Sequence, residues 1–293
     1  MRISDLSDIY LDHLKNIKRY SDNTVKSYSE DINTFIEFCS EKNIQEVEHI
    51  TEKVIKFFLI YLNAKKLNSK SIIRSLSSLR GLFKFAYKKN ILQANPLEYI
   101  SNPKSMRKLP EVLNLDAFLR IYKIAGEEDK DPFLVKAIFE LMYGCALRVS
   151  EVCNMKLGDI DFDRKSIRIL GKGNKTRFVP LGSKSEGILQ NYLASRDKIK
   201  ISDKFLKTKK GDGVNSKLAY RIVHKYLSKV SDIKKKSPHI LRHSAATHML
   251  DNGADLRAVK EILGHENLST TQIYTHVSVE RLKNIYKKSH PKS

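Results

Sequence analysis

The chain has 293 residues, 41% of them hydrophobic, and its 54 Lys and Arg against 33 Asp and Glu leave a net charge of +21. That length can bury two cores and that apolar content excludes a disordered tail, while no apolar run reaches the length needed to cross a bilayer. So basic a surface selects a polyanionic partner, nucleic acid before anionic membrane, with a Lys-rich surface set by genome composition as the bland alternative.

The opening stretch MRISDLSDIYLDHLKNIKRY carries acidic residues and lacks an apolar h-region, so it does not read as a secretory signal. The N-terminal third then reads as helices. In NTVKSYSEDINTFIEFCSEKN the apolar positions Val25, Tyr28, Ile32, Phe35, Ile36 and Cys39 recur in steps of three and four, with Ser21 or Asp22 available as cap. EKVIKFFLIYLNAKK predicts a helix after Thr51. SKSIIRSLSSLRGLFKFAYKKN predicts another, with Ile72, Leu76, Leu79, Phe83 and Ala86 on one face. Residues 1–100 are thus expected to form a helical bundle without strands.

Residues 101–113 read as a linker, lying in a stretch with Pro96, Pro103 and Pro110 and little periodicity. Residues 1–107 hold 18 basic and 12 acidic side chains (net +6) and residues 108–293 hold 36 and 21 (net +15), so both parts are basic. Beyond the linker, helices are expected at LDAFLRIYKIA and DPFLVKAIFELMYGC. DIDFDRKSIRILGKGNKTRFVPLG predicts a hairpin about Gly171–Asn174, and helices resume in SEGILQNYLASRDK, in SKLAYRIVHKYLSKV and after Pro238. The expected fold is mainly α with a small β-hairpin or sheet, in two domains: residues 1–100, then an α+β domain at 114–276. A tail helix at 277–293 has Val279, Leu282, Ile285 and Tyr286 at helical spacing. Cys39, Cys145 and Cys153 are odd in number and lack metal-ligand spacing, which suits buried thiols in a reducing, cytoplasmic compartment.

Four spaced segments carry candidate chemistry: ALRVSE with Arg148 and Glu151, GKGNKTR with Lys172, HILRH with His239, Arg242 and His243, and LGHENLSTTQIYTH with His265 and Tyr274. His239 and Arg242 are three apart on one helix face, just after Pro238, so the helix N-terminus and both side chains can meet a phosphate. With Arg148, two guanidinium forks can hold its non-bridging oxygens. Any one of these arginines alone is more simply a partner of a surface carboxylate; the ordered set of Arg, Lys, two His and Tyr is not. Lys172 lies between two glycines and is placed to donate a proton, although GKG alone is commonly a solvated turn. A phenol near pKa ~10 needs a base or a positive field to attack. The arginines can supply that field for Tyr274, with His265 as donor to the phosphate or His239 as proton acceptor. His239 and His243 have zinc-compatible spacing, but Arg242 between them opposes a cation; no metal or cofactor is called for.

On these residues the chain resembles the tyrosine recombinase (phage integrase) family, and within it the Xer chromosome-dimer resolvases. The resemblance spans almost the whole chain, and the family's Arg, Lys, His-x-x-Arg, His and Tyr elements each have a counterpart at Arg148, Lys172, His239–Arg242, His265 and Tyr274. Glu151 matches the acidic residue that orients the first arginine. The resemblance implies a SAM-like core-binding domain and a catalytic domain closing as a clamp on double-stranded DNA. It implies a homotetramer on two sites, or a heterotetramer with a paralogue, joined by tail helices docked in trans, with a septal DNA translocase as a further partner and no membrane. It also implies attack by Tyr274, a 3′-phosphotyrosyl bond, protonation of the leaving 5′-hydroxyl by Lys172, and no need for ATP or metal. A mobile-element integrase with the same residues and a non-catalytic DNA-binding protein of the same fold are the alternatives.

Overall fold

A computed structural model describes residues 1–103, 111–171, 176–196, 200–264, 286 and 288–291. Its contacts divide the chain into two units, Met1–Lys108 and Leu109–Ser293.

The first unit is helical. α1 (Ile3–Asp12) runs on into a π turn at His13–Ile17 and is followed by α2 (Asp22–Glu41), α3 (Glu52–Ala64) and α4 (Ser69–Lys88). Ser21 caps α2, its hydroxyl accepting the Thr24 N–H at 3.3 Å, and Asn68 caps α4 through the Ser71 N–H at 3.0 Å. The anticipated face of α4 is realised, with Ile72, Leu76, Leu79, Phe83 and Ala86 all at most 3% exposed. It packs with Ile32, Phe35 and Phe38 of α2 and Ile55 and Phe58 of α3. Phe35 sits at the centre, its ring 5.0 Å from Phe58 and 6.1 Å from Phe83, both edge-on. Residues Asn43, Lys66 and Asn90, just past α2, α3 and α4, take left-handed φ near +56°, so each helix ends in a left-handed cap.

The second unit is mixed, as expected. α5 (Leu115–Glu128) and α6 (Pro132–Phe139) lead into a π turn at Glu140–Gly144, and α7 (Val149–Asn154) follows. β1 (Ile160–Asp161), β2 (Ser166–Leu170) and β3 (Thr176–Pro180) form an antiparallel sheet in chain order. The predicted hairpin is β2–β3; its turn, including Lys172, lies outside the described residues. The sheet gains a strand that the sequence reading lacked, since β1 is only two residues long and shows no alternation. α8 (Ser183–Ala194), α9 (Ser216–Val230), α10 (Pro238–Asp251) and α11 (Leu256–Leu263) complete the unit. Phe118, Phe139, Tyr143, Tyr192, Tyr226, Ile167 and Val179 lie in one core.

The linker was read as 101–113; residues 104–110 lie outside the described residues, and each end makes contacts within its own unit. Arg80 donates to the Ile100 carbonyl at 2.6 Å and to Asn102 Oδ1 at 2.7 Å, and Leu113 is buried with its N–H on Ser244 Oγ at 2.8 Å. The tail was expected to form a helix docking in trans, with packing on its own domain as the alternative. The described part packs on its own unit: Tyr286 and His290 are buried, with Tyr286 Oη donating to the Gly144 carbonyl. Residues 277–285 lie outside the described residues.

Candidate active site

Arg148, Glu151 and Arg242 come together from two helices. Arg148 is the N-cap of α7 and Glu151 its third residue, so the carboxylate reaches back to accept the Arg148 N–H at 2.8 Å. The same carboxylate accepts Arg148 Nη1 at 2.8 Å. Upstream, Ala146 holds φ +50°, a left-handed conformation costing an L-residue roughly 1–2 kcal/mol. That turn aims the Ala146 carbonyl at Arg242 Nη1, 2.7 Å away. Arg242 stands in the second turn of α10, and its Nη1 also lies 3.6 Å from Glu151 Oε2.

Arg177 is the residue that the sequence reading missed. It sits on β3 opposite Ile169 of β2, on the inward face with Val179. An arginine at a core-facing strand position requires a carboxylate partner, and that alternation was the available signal. The partner is Glu151, met fork to fork: Nη1 to Oε1 at 2.8 Å and Nη2 to Oε2 at 2.9 Å.

The three arginines then converge on the C-terminus of α11. Arg177 Nε donates to the Ile262 carbonyl at 3.0 Å, Arg242 Nη2 to the Leu263 carbonyl, and Arg148 Nη2 to the Gly264 carbonyl at 3.1 Å. Three consecutive carbonyls at the negative end of a helix are thereby taken by cations from β3, α10 and α7. Gly264 closes the helix at φ +62°, and a Cβ there would lie 2.9 Å from Arg177 Cδ. Only glycine satisfies both conditions without strain.

Electrostatics follow from this packing. Burial disfavours the Glu151 carboxylate, but its pair with Arg177 and the contacts from Arg148 outweigh that and hold it at about 2. Burial, followed by repulsion from Arg148 and Arg177, lowers Arg242 to about 10, with Glu151 opposing. Arg148 keeps 38% of its side chain exposed, against 9% for Arg242. Arg148 is therefore the more accessible of the two to a phosphate.

His239 is exposed in the first turn of α10, and His243 is partly buried one turn on. Lys172, His265 and Tyr274 lie outside the described residues; His265 directly follows the three-arginine cap. His248 is structural: its Nδ1 pairs with Tyr143 Oη at 2.7 Å. Among the described residues no group of three His, Cys, Asp or Glu could hold a metal ion. The three cysteines are free and buried, and burial raises the Cys39 thiol to about 12.

Comparison with known proteins agrees with this geometry. Residues 111–281 match the phage integrase family, and residues 8–90 match the phage integrase N-terminal SAM-like domain. Tyrosine recombinase XerC of Listeria welshimeri is 36% identical over 98% of this chain and 98% of its own. The XerH site-specific recombinase, solved bound to difH substrate, is 25% identical with a TM-score of 0.69, over 97% of this chain and 84% of that one. The Tn1549 transposon integrase, solved with circular intermediate DNA, shares the fold with a TM-score of 0.74 at 19% identity, over 96% of this chain and 98% of that one. With a family match over more than half its length and a 36% identical relative aligned end to end, the chain belongs to the phage integrase family of tyrosine recombinases.

Proposed function

We propose that this recombinase exchanges strands between two double-stranded DNA sites through a 3′-phosphotyrosyl link to Tyr274, and that its role is the resolution of chromosome dimers. The three-arginine cluster around Glu151 carries the reading, since it gathers positive charge at one place and leaves Arg148 accessible. Arg148 and Arg242 hold the non-bridging oxygens of the scissile phosphate and oppose the charge that grows there. Tyr274 Oη attacks phosphorus, its proton passing to His239, while the P–O5′ bond breaks and Lys172 protonates the leaving 5′-oxygen. His265 donates to the phosphate. The 5′-hydroxyl of the exchanged strand then attacks the phosphotyrosine and returns the phenol. One phosphodiester is traded for another, so neither ATP nor a metal is required.

Both parts of the chain are basic, which suits phosphate contacts from each. Domain roles follow: DNA binding by the N-terminal bundle, chemistry by the second unit, cytoplasmic location, and four protomers on paired sites, alone or with a paralogue and a septal translocase. End-to-end identity to XerC proteins favours the chromosomal role over a transposon integrase, with which only the fold is shared. The test is recombination in vitro between two copies of the palindromic site selected from the source genome, carried on one supercoiled plasmid, with EDTA present and ATP absent. Deletion of the intervening segment is expected; a strict requirement for ATP or a divalent ion would overturn the cofactor-free mechanism.

A further inference from the structure

The geometry points to Arg177 as a positioning residue for cleavage, one that works through Glu151 to hold the phosphate-binding arginines in register and to offset the carboxylate charge beside them. This rests on the proposed reading of Arg148 and Arg242 as the phosphate clamp.

Glu151 is a buried carboxylate that contacts both clamp arginines. Left to those two, it would neutralise one of the two charges meant for the phosphate, and its oxygens would compete with the phosphate for their N–H groups. Arg177 offsets that charge and shares those oxygens. It takes both carboxylate oxygens in a paired contact from the side of the sheet, with each side chain only 7% exposed. One carboxylate against three guanidinium groups leaves two positive charges for the substrate. Water cannot supply that compensation at a site so buried, and a single ammonium could not match both oxygens at once.

Arg177 has a second connection. Its Nε–H holds the Ile262 carbonyl, one residue before the carbonyls held by Arg242 and Arg148. All three arginines therefore share one helix end, and His265 follows it immediately. Arg177 is also the second residue of β3, five positions after Lys172 in the sequence. The same guanidinium thus joins the strand that follows Lys172 in sequence, the carboxylate paired with Arg148 and the helix that precedes His265 in sequence.

Because Arg177 acts through Glu151, its value depends on the Glu151 charge, and a cycle of four proteins reads this out. Wild type, Arg177→Gln, Glu151→Gln and the double variant are compared for single-turnover cleavage of a nicked suicide substrate, for non-covalent DNA affinity and for thermal unfolding. Arg177→Gln in the wild-type background is expected to slow cleavage by roughly 100-fold, the scale of losing a preorganised donor, with affinity within about threefold. In the Glu151→Gln background the same change should cost less than about threefold. Equal losses in both backgrounds, or wild-type cleavage by Arg177→Gln, would overturn the proposal. If Arg177→Gln alone does not fold, the comparison of Glu151→Gln with the double variant decides, since neither leaves a buried carboxylate unpaired. Similar rates support the proposal and a large further loss overturns it. Failure of the wild-type protein to form any covalent complex would instead reject the recombinase chemistry, and that control is run first.

Discussion

Arg148 Nη2 donates to the carbonyl of Gly264 at 3.1 Å, joining residues 116 positions apart. The bond fastens the first arginine of the cluster to the last residue described before His265. Its strength depends on Gly264 keeping φ +62° beside the Arg177 side chain.

Gly264→Ala should therefore damage both stability and cleavage. An alanine at that φ costs about 1–2 kcal/mol by itself, and its Cβ displaces Arg177 as well. Urea unfolding is expected to show a loss of about 1–3 kcal/mol, together with slower cleavage. An unchanged midpoint would mean that the helix end can relax without the arginines.

Glu151 predicts an acid limb in the stability of the second unit. Its carboxyl lies near 2 instead of its ordinary 4.5, so the folded state favours the charged form. That stabilisation, about 3 kcal/mol, is complete above pH 4.5 and is lost as pH falls from 4.5 toward 2. Glu151→Gln should lack this part of the pH dependence. Denaturant melts of the two proteins between pH 7 and pH 3 check it, and parallel curves would contradict it.

Much of this architecture was legible because the signals are local. The buried face of α4 is written in five residues at helical spacing, and Asn68, Ser21 and Pro238 mark helix starts by their own chemistry. Arg148, Glu151 and Arg242 could be singled out in the sequence because the motifs that hold them are short, and the structure brings the three together. What could not be read comes from contacts distant in sequence. The link from Arg177 to Ile262 spans 85 residues, and the left-handed turn at Ala146 has no glycine to announce it. α1 was passed over although Ile3, Leu6 and Tyr10 stand at helical spacing, because that stretch was read only for a signal peptide.

Arg148→Lys and Arg242→Lys should differ. Both lose the planar fork and are expected to cleave at least about 100-fold more slowly. Arg148 is more exposed, so Arg148→Lys should melt close to wild type. Arg242 is buried and holds the Ala146 and Leu263 carbonyls, so Arg242→Lys should also lose about 1–3 kcal/mol. Thermal or urea melts beside single-turnover cleavage separate the two, and identical stability of both variants would contradict the assigned contacts.

Truncation after Ser278 should destabilise the second unit. It removes Tyr286, which is 2% exposed, and His290, whose ring stacks on Tyr286 at 4.6 Å and contacts the Tyr143 carbonyl at 3.2 Å. It also frees Asn252, which donates to the Ser289 carbonyl at 2.9 Å. Loss of one buried large aromatic alone costs about 3–5 kcal/mol. Calorimetry should show a lower transition for the truncated protein; an unaltered transition would mean that the tail contributes nothing to its own unit.

The most direct measurement is the identity of the residue that becomes joined to DNA. A suicide substrate with a nick beside the scissile phosphate traps the covalent complex, and protease digestion with mass spectrometry locates the attached nucleotide. The account predicts attachment to Tyr274 through a 3′-phosphate, and a Tyr274→Phe protein that binds the same DNA with near-normal affinity but traps none. Attachment at another residue, or a covalent complex with Tyr274→Phe, would contradict it.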